Sequence, residues 1–323
     1  MKNILTLFVL GLLFLFAPSS RGDTELSAYG FDFSHVNLAI RYFGEPSNSL
    51  LTEIASTTAA IHLKRHSDRT GYYPSHATSR DITGDLLSNP PAPDTLRDVR
   101  KLVQLAVENP ARQQSCMVEA AAYLPTEAQP KNPLHITWGY DIGVAMDDHA
   151  SLNFTHRHFL SDWEEIWFYC IHEVHHSGVM QIHPMSRISK VDTVQELFNF
   201  IRYATFLEGL AVHAARNARR EAGALGRDKD YLALEDTERL ARLLTAYWQH
   251  LSYINKEIGV PISDAHWGVV EEMSSGDRLW YVAGAAMAAV IERNLGRDGL
   301  LEIVRQGPGA FFDAYQEVDE GKQ

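Results

Sequence analysis

Cysteine is scarce. The 323 residues hold two, Cys116 and Cys170, and neither sits in a C-x-x-C pair, so a cysteine-built zinc or redox centre is excluded. One disulfide or two buried thiols remain open. Basic charge is also short: 29 Lys and Arg against 41 Asp and Glu give a net charge of −12. That excess argues against nucleic acid or an anionic membrane surface as partner. Beyond the N-terminus no apolar run is long enough to span a bilayer; even Leu279–Ile291 is short and rich in Gly and Ala. No internal repeat and no low-complexity linker is present.

What is there begins with a leader. Lys2 supplies a positive start, Ile4–Phe16 an apolar stretch, and Ala17-Pro18-Ser19-Ser20 a small-residue end, so residues 1–22 read as a secretory signal peptide. The expected product is exported, periplasmic or extracellular, with no stable membrane insertion once the leader is removed. No cysteine lies near the cleavage region, which argues against a lipid anchor. With 45% hydrophobic and 22% charged residues, the chain can bury a sizeable core in one large domain or two small ones.

The chemistry concentrates in Cys170-Ile171-His172-Glu173-Val174-His175-His176. In a helix His172 and His176 are i and i+4 neighbours with Cβ atoms ~5–6 Å apart. Two imidazoles so placed can close on one zinc ion, with Glu173 set aside to take a proton from water. The segment is predicted helical. Ser161 with Glu164 three residues on forms a capping-box pattern, the following run is apolar nearly all round, and Gly178 and Pro184 read as stop signals. Polar groups inside such a helix need partners, and a metal supplies them together.

A third ligand is expected from the long helical pattern Thr193–Arg220. Glu208 lies there between Phe206, Leu207 and Leu210, where a carboxylate wants a cation. Gly209 beside it, in a helix interior, costs ~1 kcal/mol relative to Ala and so suggests close approach of another backbone. Tyr281 and His266, downstream of the ligands, are candidates to stabilise an oxyanion. For each, a buried structural side chain is the reading to prefer.

Elsewhere helices are expected from Ser34, a plausible N-cap, through Phe43; over Leu50–Leu63; from a cap at Asp94 or Thr95 to Glu108; and from Pro110 to about Tyr123. Residues 64–93 read as loop. Leu134–Phe154 alternates and carries β-branched and aromatic residues, predicting two or three short strands with a turn at Asp147-Asp148. An exposed edge there could pair with an extended peptide, or the strands could form an ordinary sheet. Further helices are expected over Leu234–Ile258, Asp277–Leu295 (closing at Gly296) and Ala310–Tyr315.

The constellation His172-Glu173-x-x-His176 with Glu208-Gly209-Leu210-Ala211 resembles the zinc site of gluzincin metallopeptidases, the thermolysin-like clan. More closely, the chain resembles an uncharacterised bacterial family of zinc-dependent peptidases. Asp32-Phe33-Ser34, Tyr123-Leu124-Pro125, Tyr281-x-x-Gly284 and Phe311-Phe312-x-x-Tyr315 share in that likeness. The resemblance implies an α+β, predominantly helical fold: a helical N-terminal region over 23–130 and a zincin-like catalytic region over 131–323, its small β-sheet preceding the H-E-x-x-H helix. It further implies one Zn2+ per chain held by His172, His176 and Glu208, Glu173 as general base, and a peptide or protein substrate. Thermolysin-like enzymes carry an Asp four residues after the third ligand. Position 212 here is Val, so Asp192 or Glu196 is expected to substitute. Two rival readings stand beside this one. Glu173-x-x-His176 also suits a di-iron, carboxylate-bridged helical oxidoreductase. A non-catalytic exported protein could instead close a structural zinc site with His175 or His213.

Overall fold

The structure, a computed structural model, describes residues 30–320; the expected leader lies outside them. The fold is α+β and mostly helical. β1 (Phe31–Asp32) leads into α1 (Ser34–Gly44). Ser34 does not cap it. Its N–H and hydroxyl both donate to Asp32 Oδ1, at 2.9 and 2.6 Å. The helix expected over Leu50–Leu63 is two, α2 (Asn48–Ala55) and α3 (Thr58–Thr70). The Thr57 hydroxyl accepts from Ala60 N at 3.2 Å and starts the second. Part of the expected loop is helical as well, because α3 runs on to Gly71 at φ 84° and a Thr78/Asp81 capping box opens α4 (Ser79–Leu86). α5 (Pro93–Glu108) and α6 (Pro110–Ala121) each begin on proline, whose missing N–H costs a first turn nothing.

Three short strands follow: β2 (Leu134–Thr137), β3 (Gly143–Met146) and β4 (His149–Asn153). They join β1 in a mixed sheet of order β1-β2-β4-β3. β2 and β4 are parallel, with Leu134 opposite Ala150. β3 and β4 form a hairpin closed at Asp147-Asp148, with Met146 opposite His149. β3 is therefore an edge strand.

α7 (Arg157–Ser161) ends where the capping box was expected. Ser161 belongs to that short helix, and Asp162 Oδ1 instead accepts from Glu164 N at 3.1 Å before α8 (Glu165–Ile182) begins. Gly178 does not stop α8. It lets the helix pass the Ala128 carbonyl, which a Cβ there would meet at 2.6 Å; the helix ends before Pro184. α9 (Val194–Glu221) starts on a full Thr193/Glu196 capping box. The helix expected over Leu234–Ile258 is divided into α10 (Lys229–Glu235) and α11 (Thr237–Lys256) by Asp236, whose side chain accepts from Arg239 N at 2.9 Å. α12 (Asp264–Ser274) was not expected. α13 (Leu279–Gln306) continues past a kink at Gly296, φ 74°, and α14 (Pro308–Glu320) is longer than expected.

One contiguous cluster of buried side chains runs from Val36 to Ala314. Three devices fix the elements that matter for the site. Cys116 on α6 and Cys170 on α8 form a disulfide, S–S 2.04 Å. The buried Arg219 guanidinium forks onto Glu165 at 2.9 and 2.6 Å, tying the end of α9 to the start of α8, and lies between Phe168 and Tyr231 at 4.5 and 4.6 Å from their ring centres. α9 and α13 cross backbone to backbone at Gly209 and Gly284, where a Cβ on Gly209 would stand 2.7 Å from Ala285 N. Among the described residues no helix is long and apolar enough to cross a membrane.

Candidate metal centre

α8 is apolar nearly all round and buried along most of its length, so its few polar side chains must answer to one another or to a neighbour. His172 and His176 rise from one face with ring centroids 4.4 Å apart. α9 crosses that face and delivers Glu208. Its Oε2 lies 3.2 Å from His172 Nε2 and 2.9 Å from His176 Nε2. The structure thus brings all three expected ligands together, with donor atoms within 4.8 Å of one another. Two ligand atoms each ~2.0–2.1 Å from a tetrahedral zinc are ~3.3–3.4 Å apart. The observed spacings come within a few tenths of an ångström of that, so the donor set fits one zinc.

Electrostatics favour the same reading at His172 and Glu208, though not at His176. Burial, then the neighbouring His176, lowers the His172 pKa to about 4, holding it as the neutral imidazole a metal requires. Burial would raise Glu208, but His176 and His172 outweigh it and keep the carboxylate ionised well below its usual range. For His176 burial acts downward and Glu208 overrides it, so its pKa is raised.

Glu173 sits between the metal group and the sheet. A Cβ on Gly143 would lie 2.6 Å from Glu173 Oε1 and 2.7 Å from its Cδ, so the glycine makes room for this carboxylate beneath β3. No hydrogen bond to the Glu173 carboxylate occurs among the described residues, and burial pushes its pKa up to about 8. A dication among the neighbouring ligands would pull it back down. His172, Glu173, His176 and Glu208 open on a cleft of about 290 Å³, walled by residues 141–145, by α9 and by the start of α13.

Tyr281 lies on that last wall. Burial holds its hydroxyl protonated, with a pKa well above 10, and the Arg278 guanidinium stands 3.4 Å over its ring. Arg278 in turn donates to Asp230 Oδ2 at 2.8 Å and also lines the cleft. Nothing local in the sequence marks it. It is placed by a left-handed turn, φ 51°, at the head of α13. His266 is elsewhere: its Nδ1 accepts from Ser263 N at 2.9 Å to cap α12, and it does not line the cleft. Only geometry separates the two candidates.

Neither His175 nor His213 joins the metal group. His175 is fully buried, and His213 Nε2 pairs with Glu292 at 2.6 Å. Asp192 and Glu196 do not replace the missing Asp. Glu196 Oε2 accepts from Asp192 N and Thr193 N at the start of α9, at 2.9 and 3.0 Å. The acidic residues behind His172 are Asp228 and Asp230, around a small cavity of about 20 Å³.

No curated protein and no solved structure matches this chain. Over residues 96–322, which carry β2, β3 and β4, both histidines, Glu173, Glu208 and Tyr281, the sequence matches the family described as "Putative zinc dependent peptidase (DUF5700)", and the chain belongs to that family.

Proposed function

We propose that the protein is an exported zinc peptidase of gluzincin type. One observation carries the reading: an open group of three protein donors faces a cleft beside an unpartnered carboxylate, Glu173. A structural zinc site usually closes with four protein ligands, and the fourth candidates do not join: His175 is outside the donor group and His213 pairs with Glu292. A di-iron site would need a second Glu-x-x-His, and His213 is committed to Glu292.

His172, His176 and Glu208 would hold the ion. When bound, zinc acts as a Lewis acid that polarises the scissile carbonyl and makes water acidic near neutral pH. Glu173 accepts the proton of the attacking water and passes one to the leaving amine. Tyr281 keeps its proton and is placed to donate to the developing oxyanion, with Arg278 over its ring holding the phenol in position. The edge strand supports a peptide as substrate. The Ile142 carbonyl accepts from Asn153 N at 2.9 Å. Strand alternation therefore turns the N–H and C=O groups of Gly143 and Ala145 away from β4, along the free edge at the cleft. An extended peptide can pair there. The disulfide supports export to an oxidising compartment.

The test is a Glu173→Gln variant assayed with an unfolded protein such as casein and with quenched fluorescent peptides. It should retain about one zinc per chain by elemental analysis and lose at least ~100-fold in turnover. Turnover kept by the variant would remove Glu173 as base. A wild-type protein that takes up no zinc would remove the proposal.

A further inference from the structure

One face of α9 leads away from the metal. Glu208, Leu207, Ala204, Tyr203 and Phe200 line the catalytic cleft, and Tyr203, Phe200, Asn199 and Glu196 continue into a second, larger cleft of about 620 Å³. At ~1.5 Å per residue, Phe200 is ~12 Å along the axis from Glu208. The far wall is the segment 184–191 after α8, held by Arg69, which donates to the Met185 carbonyl at 2.6 Å. Tyr203 anchors the division between the clefts by donating to the His183 carbonyl at 2.8 Å.

Three cations line this second cleft: Arg187, Lys190 and Arg202. None of them forms an ion pair among the described residues. The Arg202 guanidinium is stacked, 4.6 Å from the Phe312 ring centre and 5.7 Å from that of Phe198, an arrangement that leaves its N–H edge free to donate. The one carboxylate on the lining, Glu196, is occupied by the N–H groups and hydroxyl of its own capping box. The lining therefore carries a net positive charge in a chain whose net charge is −12.

We infer that this basic cleft is a subsite for a carboxylate of the bound peptide. The group is an acidic side chain or the free C-terminus, three to four residues from the cleaved bond, since ~12 Å is that length of extended chain at ~3.3 Å per residue. The inference rests on the peptidase reading. The chain's net negative charge does not oppose this, because at physiological salt charges beyond ~8 Å are largely screened and the local cations decide.

The experiment measures binding of fluorescein-labelled ten-residue Ala/Gly/Val peptides to the zinc-loaded Glu173→Gln protein by anisotropy, and cleavage of the same peptides by the intact enzyme. One set carries Asp or Asn at successive positions; another has a free or an amidated C-terminus. The two sets separate the two sources of carboxylate. The Asp or free-acid peptide should bind about tenfold more tightly than its neutral partner. That ratio should fall to near one in Arg187→Gln/Lys190→Gln, whose two sites are exposed, and in the triple variant with Arg202→Gln. Equal affinity for acidic and neutral peptides, or a preference surviving both variants, overturns the subsite while cleavage of neutral peptides leaves the peptidase standing. Variant-sensitive acidic binding with no cleavage keeps the subsite and removes the peptidase. Failure to bind any peptide removes both.

Discussion

Gly209→Ala is the most informative single change. On an ordinary helix surface it would stabilise by ~1 kcal/mol. Here the new methyl would lie 2.7 Å from Ala285 N, across the α9–α13 crossing. Unstrained contact of such atoms needs ~3.5 Å, and Gly284 Cα and C lie closer still to the new methyl, so the helices must part by more than ~0.8 Å or distort. Overpacking of this kind costs ~1–3 kcal/mol, which meets or exceeds the propensity gain of ~1 kcal/mol and leaves the variant less stable by up to ~2 kcal/mol. Glu208 is the adjacent residue, and zinc sites tolerate only about ±0.2 Å in ligand distance. The displacement should therefore weaken zinc binding by tenfold or more. The assay is chelator competition for zinc alongside urea unfolding. Gly268→Ala serves as control, because a Cβ there meets nothing within 4 Å, and it should raise stability with zinc affinity unchanged. A Gly209→Ala protein that behaves like Gly268→Ala would refute the claim that this crossing sets the position of the ligand.

Two further outcomes can be measured on the purified protein. The Cys116–Cys170 disulfide joins residues 54 apart in sequence, and chain entropy alone makes it worth ~4 kcal/mol. Urea unfolding of a Cys116→Ala/Cys170→Ala protein should show most of that loss, and a midpoint indifferent to both the substitution and reductant would contradict it. The Glu292 carboxyl is held at about 2 by the hydrogen bond from His213 and then that from Arg297. With its pKa depressed on folding, its contribution is complete above pH 4.5 and disappears as pH falls toward 2. Solvent screening at this partly exposed site limits it to about 1 kcal/mol. The stability gap between wild type and Glu292→Gln should therefore shrink between pH 5 and pH 3; a constant gap would contradict the assignment.

The metal group was legible because its signal is local: two histidines at helical spacing, and a carboxylate among apolar neighbours in a second helix. The same grammar failed where several readings shared one pattern. Thr193 with Glu196 and Ser161 with Glu164 look alike in sequence. The first pair caps α9, whereas Ser161 is already used by α7 and Asp162 takes over. Gly178 and Gly209 also look alike, yet what decides their roles is the backbone opposite, which no local window contains. Arg278 and the cleft beyond Phe200 depend wholly on tertiary placement. Tyr281 and His266 could not be told apart until one stood in the cleft and the other capped a helix.

The bracing of α8 and α9 bears on how the protein would acquire its ion. The disulfide, the Glu165–Arg219 fork and the glycine crossing hold both ligand-bearing helices by contacts that involve no metal. Zinc fingers fold only when their ion arrives. Here the scaffold can assemble first and receive its ion afterwards, so folding and activation are separable. On the function proposed above, an exported chain of this design would complete its core and disulfide first and gain activity only on taking up zinc.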